Sequence, residues 1–376
     1  MRRETHSSSV PGVIIHHSPA ATNKYCGCPS VVVMPDGDYV ASHSHFGPDA
    51  TNRDSFVYRS SDKGATWKRV AALHGQIWSK LFVHQGRLHI IGTDQCDRVG
   101  DRLGGALVIR VSEDGGKTWT EPTGPDSGLL TEEAGYHTAP VPLAVHAGRI
   151  WKACEFAPED DRRTWQTFVL SAPTDADLLK RSSWTFSGRI ESWPSWQWIE
   201  GNAIVAPEGD VVILSRANDM DDPRYWDPQR CRHVGGEETA ALMHVNSNGL
   251  TLSHDASRDR IRFPGGGTKF TVRFDSETAT YCALVNPQSY VDLWRNKLAL
   301  SVSRDLRHWK VVKELLLHPD PSAHGFQYVD WDVDGEDLVF LSRTAYDDDC
   351  GGARSAHDAN YTTFHRIEQF RKYLAP

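Results

Sequence analysis

Ser60-Ser61-Asp62-Lys63-Gly64-Ala65-Thr66-Trp67 is the stretch that decides the fold, and it returns as Ser112-Glu113-Asp114-Gly115-Gly116-Lys117-Thr118-Trp119. Both copies read Ser-x-Asp-x-Gly-x-Thr-Trp. The Ser and Asp side chains can hydrogen-bond to nearby backbone groups, and Gly supplies the positive φ that a chain reversal needs. The repeat therefore predicts a self-locking hairpin turn whose Trp packs back between adjacent sheets.

A second repeat extends through the whole chain. Short apolar segments meet an acidic or glycine-containing turn and continue as another apolar segment, which is the pattern of a β-hairpin. Successive copies start roughly 50–65 residues apart, a spacing that fits one four-stranded propeller blade each. The predicted hairpins pair 31–34 with 39–40, 81–84 with 88–91, 142–146 with 150–151, 203–206 with 211–214, 270–274 with 280–284 and 329–333 with 338–341.

These repeats predict an all-β, six-bladed β-propeller that forms a single domain over residues 1–376, although a seven-bladed count also fits such weak repeats. We expect an N-terminal strand near 13–16 to pair with the last blade near 362–367, because ring closure removes exposed sheet edges. Degenerate copies of the turn lie at 245–249 and 303–309. Two long loops, 217–236 and 346–361, are expected to line one face of the ring.

The repeated turn resembles the Asp-box, or BNR repeat, of the sialidase (neuraminidase) superfamily, whose fold is a β-propeller. In that superfamily the box is a structural device, so this resemblance implies an architecture and no chemistry.

Composition narrows the classes of partner. The 376 residues carry a net charge of −8 with interspersed acids and bases, and no basic face suggests nucleic-acid binding. No run of 18 apolar residues predicts a membrane span. Seven scattered cysteines and a polar stretch at 1–10 predict reduced thiols in a cytoplasmic protein. That localisation fails if a secretory signal was trimmed from the natural precursor, and the oligomeric state is not predicted.

The candidate site follows from propeller geometry, since residues at the start of the inner strands, and those leaving the same hairpins, converge on one face of the channel. Arg can grip a carboxylate in a bidentate fork, Glu and His can move protons, and aromatic rings can stack on sugars. The predicted substrate-binding residues are Tyr25, His43, His45, Trp78, Lys269, Arg295, His324, Gln327 and Arg343. The predicted catalytic residues are His137, Glu200, Arg216 and Tyr328.

Each of these residues also has a structural explanation. A His that begins a strand, such as His137, can simply be hydrogen-bonded in the fold. Arg216 and Glu200 both lie in apolar strands, and a buried Arg needs an acidic partner, so these two support each other as site residues.

Part of the sialidase site is matched residue by residue. The stretch 200–205 followed by Arg216 is similar to the stretch that supplies the sialidase Glu and second Arg, and 294–300 resembles the one that supplies the third, here Arg295. The first Arg is missing, because Tyr25-Cys26-Gly27-Cys28-Pro29 stands where sialidases have Tyr-Arg-Ile-Pro.

The sialidase nucleophile and acid/base are matched less directly. Counting back from the turn at Asp334-Gly335 puts Phe326 at the position of the Tyr nucleophile, with Tyr328 two residues on. Asp49 and Asp54 lie in the loop that would carry the acid/base Asp.

A second resemblance is to propeller ulvan lyases and propeller α-L-rhamnosidases, which use His, Tyr and Arg from neighbouring blades. His137, Glu200 and Arg216 fall at similar blade positions, with Glu200 in place of the lyase Tyr.

The sequence therefore predicts an exo-glycoside hydrolase of the sialidase type that cleaves a terminal acidic sugar from a glycan. Arg216 and Arg295 would bind the carboxylate, Glu200 and His137 would transfer protons, and Tyr328 would support or attack. The alternatives are a uronate-specific polysaccharide lyase and a non-catalytic glycan-binding propeller.

No cofactor is required by this chemistry, and no catalytic metal is predicted. A structural zinc ion is the one exception considered. Its candidate ligands are Cys26 and Cys28 near His43 and His45, or His324 with Cys350 and His357.

Overall fold

The computed structural model describes residues 9–50, 54–94, 104–158, 165–193, 196–219, 238–287 and 295–374. The described strands form six antiparallel sheets, one for each blade of a six-bladed β-propeller, so the all-β, six-bladed prediction is confirmed. The described helical segments are 3₁₀ turns of three or four residues, and none of them is long and apolar enough to cross a membrane.

The first three blades follow one another along the chain. Blade 1 contains β2 (Tyr25–Cys26), β3 (Ser30–Val33), β4 (Tyr39–Phe46), β5 (Asp54–Ser60) and β6 (Lys68–His74). Blade 2 contains β7 (Ile77–His84), β8 (Arg87–Asp94) and β9 (Ala106–Ser112). Blade 3 contains β10 (Tyr136–His137), β11 (Ala144–His146), β12 (Arg149–Phe156), β13 (Gln166–Pro173), β14 (Thr185–Phe186) and β15 (Ile190–Glu191).

The remaining blades complete the ring, and the last one takes its outer strand from the beginning of the chain. Blade 4 contains β16 (Trp196–Val205), β17 (Val211–Asp219), β18 (Thr239–Val245), β19 (Leu252–Ser253) and β20 (Arg260–Arg262). Blade 5 contains β21 (Thr271–Asp275), β22 (Thr280–Val285), β23 (Lys297–Ser303) and β24 (Lys310–Leu317). Blade 6 contains β25 (Gly325–Asp334), β26 (Asp337–Ala345), β27 (Tyr361–Ile367) and β1 (Val13–His17).

Each predicted hairpin is the pair of innermost strands of one blade, from β3–β4 to β25–β26. Blades are covered on both faces by their neighbours, which is why these strands are apolar on both sides. A separate hydrophobic cluster fills each of the six interfaces between consecutive blades. In blade 2, for example, Ile90 packs towards blade 1 and Ile91 towards blade 3.

The chain ends meet in blade 6, where β1 pairs antiparallel with β27 from Val13 opposite Phe364 to His17 opposite Tyr361. The seam between blade 6 and blade 1 is then filled by one apolar cluster that includes Ala41, Leu341 and Phe364. The first and last parts of the chain therefore share both a sheet and a core.

The turn at Ser60 forms the predicted set of hydrogen bonds. Ser60 Oγ donates to Asp62 Oδ1 at 2.8 Å and accepts from the Gly64 N–H at 2.9 Å. Asp62 Oδ1 also accepts from the Thr66 N–H at 2.9 Å, and Trp67 Nε1 donates to the Gly64 carbonyl at 3.1 Å. The second copy has the same contacts through Ser112, Asp114, Gly116, Thr118 and Trp119.

The degenerate copy at 303–309 keeps this geometry without the glycine. Leu306 takes φ 63° where the other two turns have Gly, and its carbonyl accepts from Trp309 Nε1 at 2.9 Å. In all three turns the half-buried Trp packs against the preceding blade. Trp67, for example, lies against Phe364 of blade 6, with the two ring centroids 5.4 Å apart. These turns lock neighbouring blades together.

Three inner strands carry a β-bulge at their channel end, and these bulges position the site. β7, β16 and β25 each have one extra residue relative to the partner strand, between Ile77 and Lys80, Ile199 and Asn202, and Gln327 and Asp330. In each bulge a non-glycine residue adopts positive φ: 50° for Trp78, 62° for Glu200 and 54° for Tyr328. Such strained bulges occur preferentially beside functional sites, because they re-aim a side chain.

Candidate functional site

Two of the bulged residues, Glu200 and Tyr328, meet around Arg216 of β17. Arg216 Nη1 lies 3.1 Å from Glu200 Oε2 and 3.5 Å from Tyr328 Oη. With its amide oriented to satisfy both neighbours, Asn218 accepts from Arg216 Nε at 3.1 Å and Nη2 at 2.8 Å. The guanidinium is therefore fixed between a carboxylate and a phenol from two different blades.

Two further arginines surround Tyr328. The guanidinium carbon of Arg343 lies 4.6 Å from the centre of the Tyr328 ring, and that of Arg295 lies 5.5 Å from it. Arg295 donates to the side chain of Gln327, and Arg343 donates to the His357 carbonyl. Within the part of the chain that the structure describes, neither Arg295 nor Arg343 has a carboxylate at salt-bridge distance.

The electrostatics of this group favour an anionic ligand. Burial alone would raise the pKa of Glu200, yet nearby cations, Arg216 first among them, hold it below its ordinary value. Burial lowers the pKa of Arg295 to about 10, and Arg216 and Arg343 add to this effect. Burial also raises the pKa of Tyr328, so its hydroxyl is neutral at pH 7. Of the three guanidinium groups, only that of Arg216 has a carboxylate at salt-bridge distance within the described part of the chain, so positive charge is in excess around Tyr328.

A His–carboxylate pair lies beside this group in blade 3. His137 Nδ1 donates to Glu155 Oε2 at 2.8 Å, while Glu155 Oε1 accepts from the Gly201 N–H at 3.1 Å. A carboxylate on Nδ1 orients the ring and leaves Nε2 as the basic nitrogen of neutral histidine. Glu155 is not among the predicted site residues, and its position on β12, directly opposite His137, is what assigns it a role.

Aromatic side chains border both groups. Trp78 and Trp165 lie 4.7 and 5.3 Å from the His137 ring, and Phe46 lies 4.2 Å from the Arg343 guanidinium carbon. Trp165 and Phe46 were missed by sequence reasoning, because only their contacts with His137 and Arg343 mark them.

The channel below the site holds a buried ionic network. The Asp330 carboxylate accepts from Lys80 Nζ, from Ser30 Oγ at 2.8 Å and from the Val31 N–H at 2.9 Å, and so joins blades 6, 2 and 1. Lys269 donates to the Pro140 carbonyl at 3.0 Å, to Thr271 Oγ1 at 2.5 Å and to the Val329 carbonyl at 2.6 Å. These contacts use all three donors of the Lys269 ammonium. The geometry thus gives this predicted substrate-binding lysine a structural role.

The other predicted substrate-binding residues lie outside this ionic network and do not form one group. Tyr25 accepts a hydrogen bond from Arg354 at 2.6 Å, and Gln327 connects Arg295 to the loop at 346–361. His324 stacks on His318 with ring centroids 3.5 Å apart. His43 and His45 point into the seam between blades 6 and 1 and lie with His16, not with the arginines.

The register count that favoured Phe326 as the counterpart of the sialidase Tyr is not supported by the structure. Phe326 is buried in the hydrophobic cluster between blades 5 and 6. The bulge after Gln327 turns Tyr328 towards Arg216 instead. A bulge inserts one residue into the strand, so counting along an ideal strand names the wrong side chain.

In the stretch that lacks the first arginine, Cys28 lies close to the charged groups of the site. Burial raises the pKa of Cys28 to about 11, and the charges that act on it include Arg343, Glu200 and Lys269. The two candidate acid/base residues are bound elsewhere, since Asp49 accepts from Asn23 at 2.9 Å and Asp54 binds His74 at 2.9 Å.

The two long loops differ in how much of them is described. Carbonyl oxygens of Ala356 and His357 in the loop at 346–361 accept from Gln327, and that of His357 also accepts from Arg343, so this loop borders the site. In the loop at 217–236, residues from 220 onwards lie outside the described residues, as does Trp294.

Comparison with known proteins agrees with this architecture. Sequence comparison found no family model and no curated protein that matches the chain. Among solved structures, an α-L-arabinanase of Penicillium chrysogenum complexed with arabinobiose is similar at 17% identity and a TM-score of 0.55, covering 96% of this chain and 99% of that chain. An α-L-arabinofuranosidase of Fusarium graminearum with an iminosugar inhibitor reaches 12% identity and a TM-score of 0.61, covering 98% and 99%.

A sialidase of Trypanosoma rangeli in complex with sialic acid is also similar, at 14% identity and a TM-score of 0.57 over 92% of this chain and 54% of that chain. At such low identities the likeness establishes the fold alone. The chain thus has the six-bladed, sialidase-like propeller fold that these glycoside hydrolases share.

Proposed function

We propose that this protein is a glycoside hydrolase that removes a terminal acidic sugar from a glycan. The single observation that carries the proposal is the convergence of Arg216, Arg295 and Arg343 on Tyr328, where among the described residues Glu200 is the one carboxylate at salt-bridge distance from any of the three. A buried excess of guanidinium groups is suited to a carboxylate, which Arg binds through paired hydrogen bonds. The fold neighbours that bind arabinobiose or sialic acid support a glycan as the ligand.

The roles of the residues follow from their contacts. Arg216, Arg295 and Arg343 hold the sugar carboxylate. Glu200 acts as a base towards the neutral Tyr328 hydroxyl, which attacks the sugar or stabilises the charge that develops on it. His137, held by Glu155, transfers a proton through its free Nε2. Trp78 and Trp165 provide faces on which a sugar ring can stack.

The test is a panel of aryl glycosides that differ in the acidity of the sugar. We expect sialic or uronic acid glycosides to be cleaved and neutral arabinosides and galactosides to be cleaved poorly. Arg295→Lys keeps the positive charge but loses the paired hydrogen bonds of the guanidinium group, so kcat/KM on the acidic substrate should fall roughly 10- to 100-fold. Arg304→Lys, at an exposed turn, is the matched control. Equal rates on acidic and neutral sugars would refute the carboxylate-binding role.

A uronate-specific lyase is the second candidate, and one observation favours it. Glu200 stands in place of the lyase Tyr in the sequence, but Tyr328 brings a phenol to Arg216 from another blade. The site therefore holds the His, Tyr and Arg that β-elimination beside a carboxylate requires. Product analysis separates the two reactions, because elimination leaves an unsaturated uronate that absorbs in the ultraviolet and hydrolysis does not.

A further inference from the structure

A second cluster of titratable side chains lies away from the arginines, in the seam where blade 6 meets blade 1. It consists of His16 on β1 and of His43 and His45 on β4. One ring nitrogen from each histidine lies within 4.8 Å of the other two, and the ring centroids are 4.6, 5.0 and 5.3 Å apart. Among the described residues, this is the only group of three or more His, Cys, Asp or Glu side chains that converges in this way.

A consistent proton arrangement connects the three rings through Tyr58. His43 Nδ1 donates to the Ser44 carbonyl at 3.1 Å, which leaves His43 Nε2 to accept from the Tyr58 hydroxyl at 3.3 Å. Tyr58 Oη then accepts from His16 Nδ1 at 3.2 Å, and His16 Nε2 accepts from His45 Nε2 at 3.0 Å. Each ring is neutral in this arrangement. A metal ion bound between the rings would replace the hydrogen bond between His45 and His16, with the His45 proton moved to Nδ1 so that Nε2 can bind.

We propose that His16, His43 and His45 form a binding site for one divalent transition-metal ion, with Zn²⁺ as the cation that fits best. Three imidazoles without a carboxylate suit Zn²⁺ and its first-row neighbours and do not suit Mg²⁺ or Ca²⁺. Zinc holds histidine nitrogens at about 2.0–2.1 Å, which places them roughly 3.4 Å from one another in a tetrahedral site. The three rings would have to rotate to bring their nitrogens from within 4.8 Å to that spacing, and a water molecule or the Tyr58 hydroxyl would complete the shell.

The surroundings support metal binding of moderate strength. The hydrogen bond from His43 Nδ1 to a backbone carbonyl is the kind of outer contact that orients metal-binding histidines. His16 and His45 are partly buried, and their rings lie against those of His43 and Phe56. Arg69 and Lys24 act on these rings as nearby positive charges, so we expect weaker binding than a thiolate site gives.

This site differs from both zinc sites that the sequence suggested. His43 and His45 are shared with the first of them, but Cys26 and Cys28 are not part of the converging group. His16 is the unexpected ligand, since it comes from the strand that closes the ring. A metal here would connect β1 to blade 1 and hold the N-terminal strand in place.

The experiment uses the full chain without a polyhistidine tag, stripped with a chelator and then titrated with ZnCl₂ alone. We expect one Zn²⁺ per chain by calorimetry, a zinc-dependent rise in melting temperature, and slower proteolysis of the N-terminal strand. Co²⁺ should give the visible absorption of tetrahedral nitrogen coordination. His45→Phe, which preserves the ring packing, should abolish all four effects.

His89→Gln is the control, because His89 is a buried histidine that belongs to blade 2 and lies outside the converging group. It should bind Zn²⁺ like the wild-type protein. The proposal is overturned if the wild-type chain binds no Zn²⁺, or if His45→Phe binds it as tightly as the wild type. The wild-type titration decides the matter even if a variant does not fold.

Discussion

Glu200 combines an unusual backbone conformation with a buried charge. Its φ of 62° places the carboxylate against Arg216, and Gly201 follows because a Cβ there would lie 2.7 Å from Ile213 Cγ2. The carboxylate has two explanations, either neutralisation of Arg216 or proton transfer at the site. These explanations predict different outcomes when Glu200 alone loses its charge.

Glu200→Gln keeps the size and one acceptor oxygen but cannot titrate. We expect a folded protein that still binds its ligand, while kcat falls roughly 10²- to 10⁴-fold and one limb of the pH–rate profile disappears. Glu208→Gln, in the exposed turn between β16 and β17, should leave kcat unchanged. If Glu200 is purely structural, the loss of activity in Glu200→Gln should instead be proportional to the loss of folded protein, as measured by circular dichroism and thermal unfolding.

The bulged inner strands explain how much of the site could be predicted. Glu200 and Arg216 were named as site residues because an acid and a base stood out in apolar strands, and the structure places the two side chains in contact. The role of Tyr328 was ambiguous in the sequence because the bulge after Gln327 shifts the register by one residue. No residue type in that stretch indicates a bulge. His16 was missed because it reaches His43 and His45 only when β1 pairs with β27 in blade 6, next to blade 1.

The strain in these bulges can be measured at Trp78. Its φ of 50° suits glycine, and left-handed conformation costs other residues about 1–2 kcal/mol. Trp78→Ala and Trp78→Gly lose the same ring contacts with His137, so we expect the Gly variant to be the more stable by about 1 kcal/mol. Denaturant unfolding measures this difference. An Ala variant equal to or more stable than the Gly variant would show that the bulge is unstrained.

The locking turns were predicted in detail, because a local motif needs no information from the rest of the chain. Trp67→Ala and Trp119→Ala should each destabilise the fold by about 2–4 kcal/mol, slightly below the usual range for a fully buried Trp, since both rings are half-buried. The specific activity of the folded fraction should persist. Thermal melting that matches the wild type in either variant would contradict a locking role.

The ring as a whole depends on Asp330, whose carboxylate contacts three blades. Burial would raise its pKa, but Lys80 and Lys269 hold it below 3.8. Its stabilising contribution is therefore complete above pH 3.8 and is lost as the pH falls through the lower native pKa. Asp330→Asn should destabilise the protein by about 3–5 kcal/mol at pH 7, because it leaves buried ammonium groups unpaired.

The difference between Asp330→Asn and the wild type should shrink as the pH falls below 4, when the wild-type carboxylate is itself protonated. Asp332→Asn is the control, since its carboxylate is partly exposed and lies 3.8 Å from Arg273. Asp332→Asn should lower the free energy of unfolding clearly less than Asp330→Asn at every pH. Equal losses for the two variants, measured by chemical denaturation, would remove Asp330 from this central role.

Pairing β1 with β27 also fixes the order in which the protein can mature on the ribosome. About 340 residues separate His17 from Tyr361, so β1 leaves the ribosome long before its partner strand is synthesised. At roughly 5–20 residues per second this wait is roughly 20–70 s. During that time an unpaired strand edge is available to other nascent chains. The step most exposed to misassembly during biosynthesis is therefore the pairing of β27 with β1.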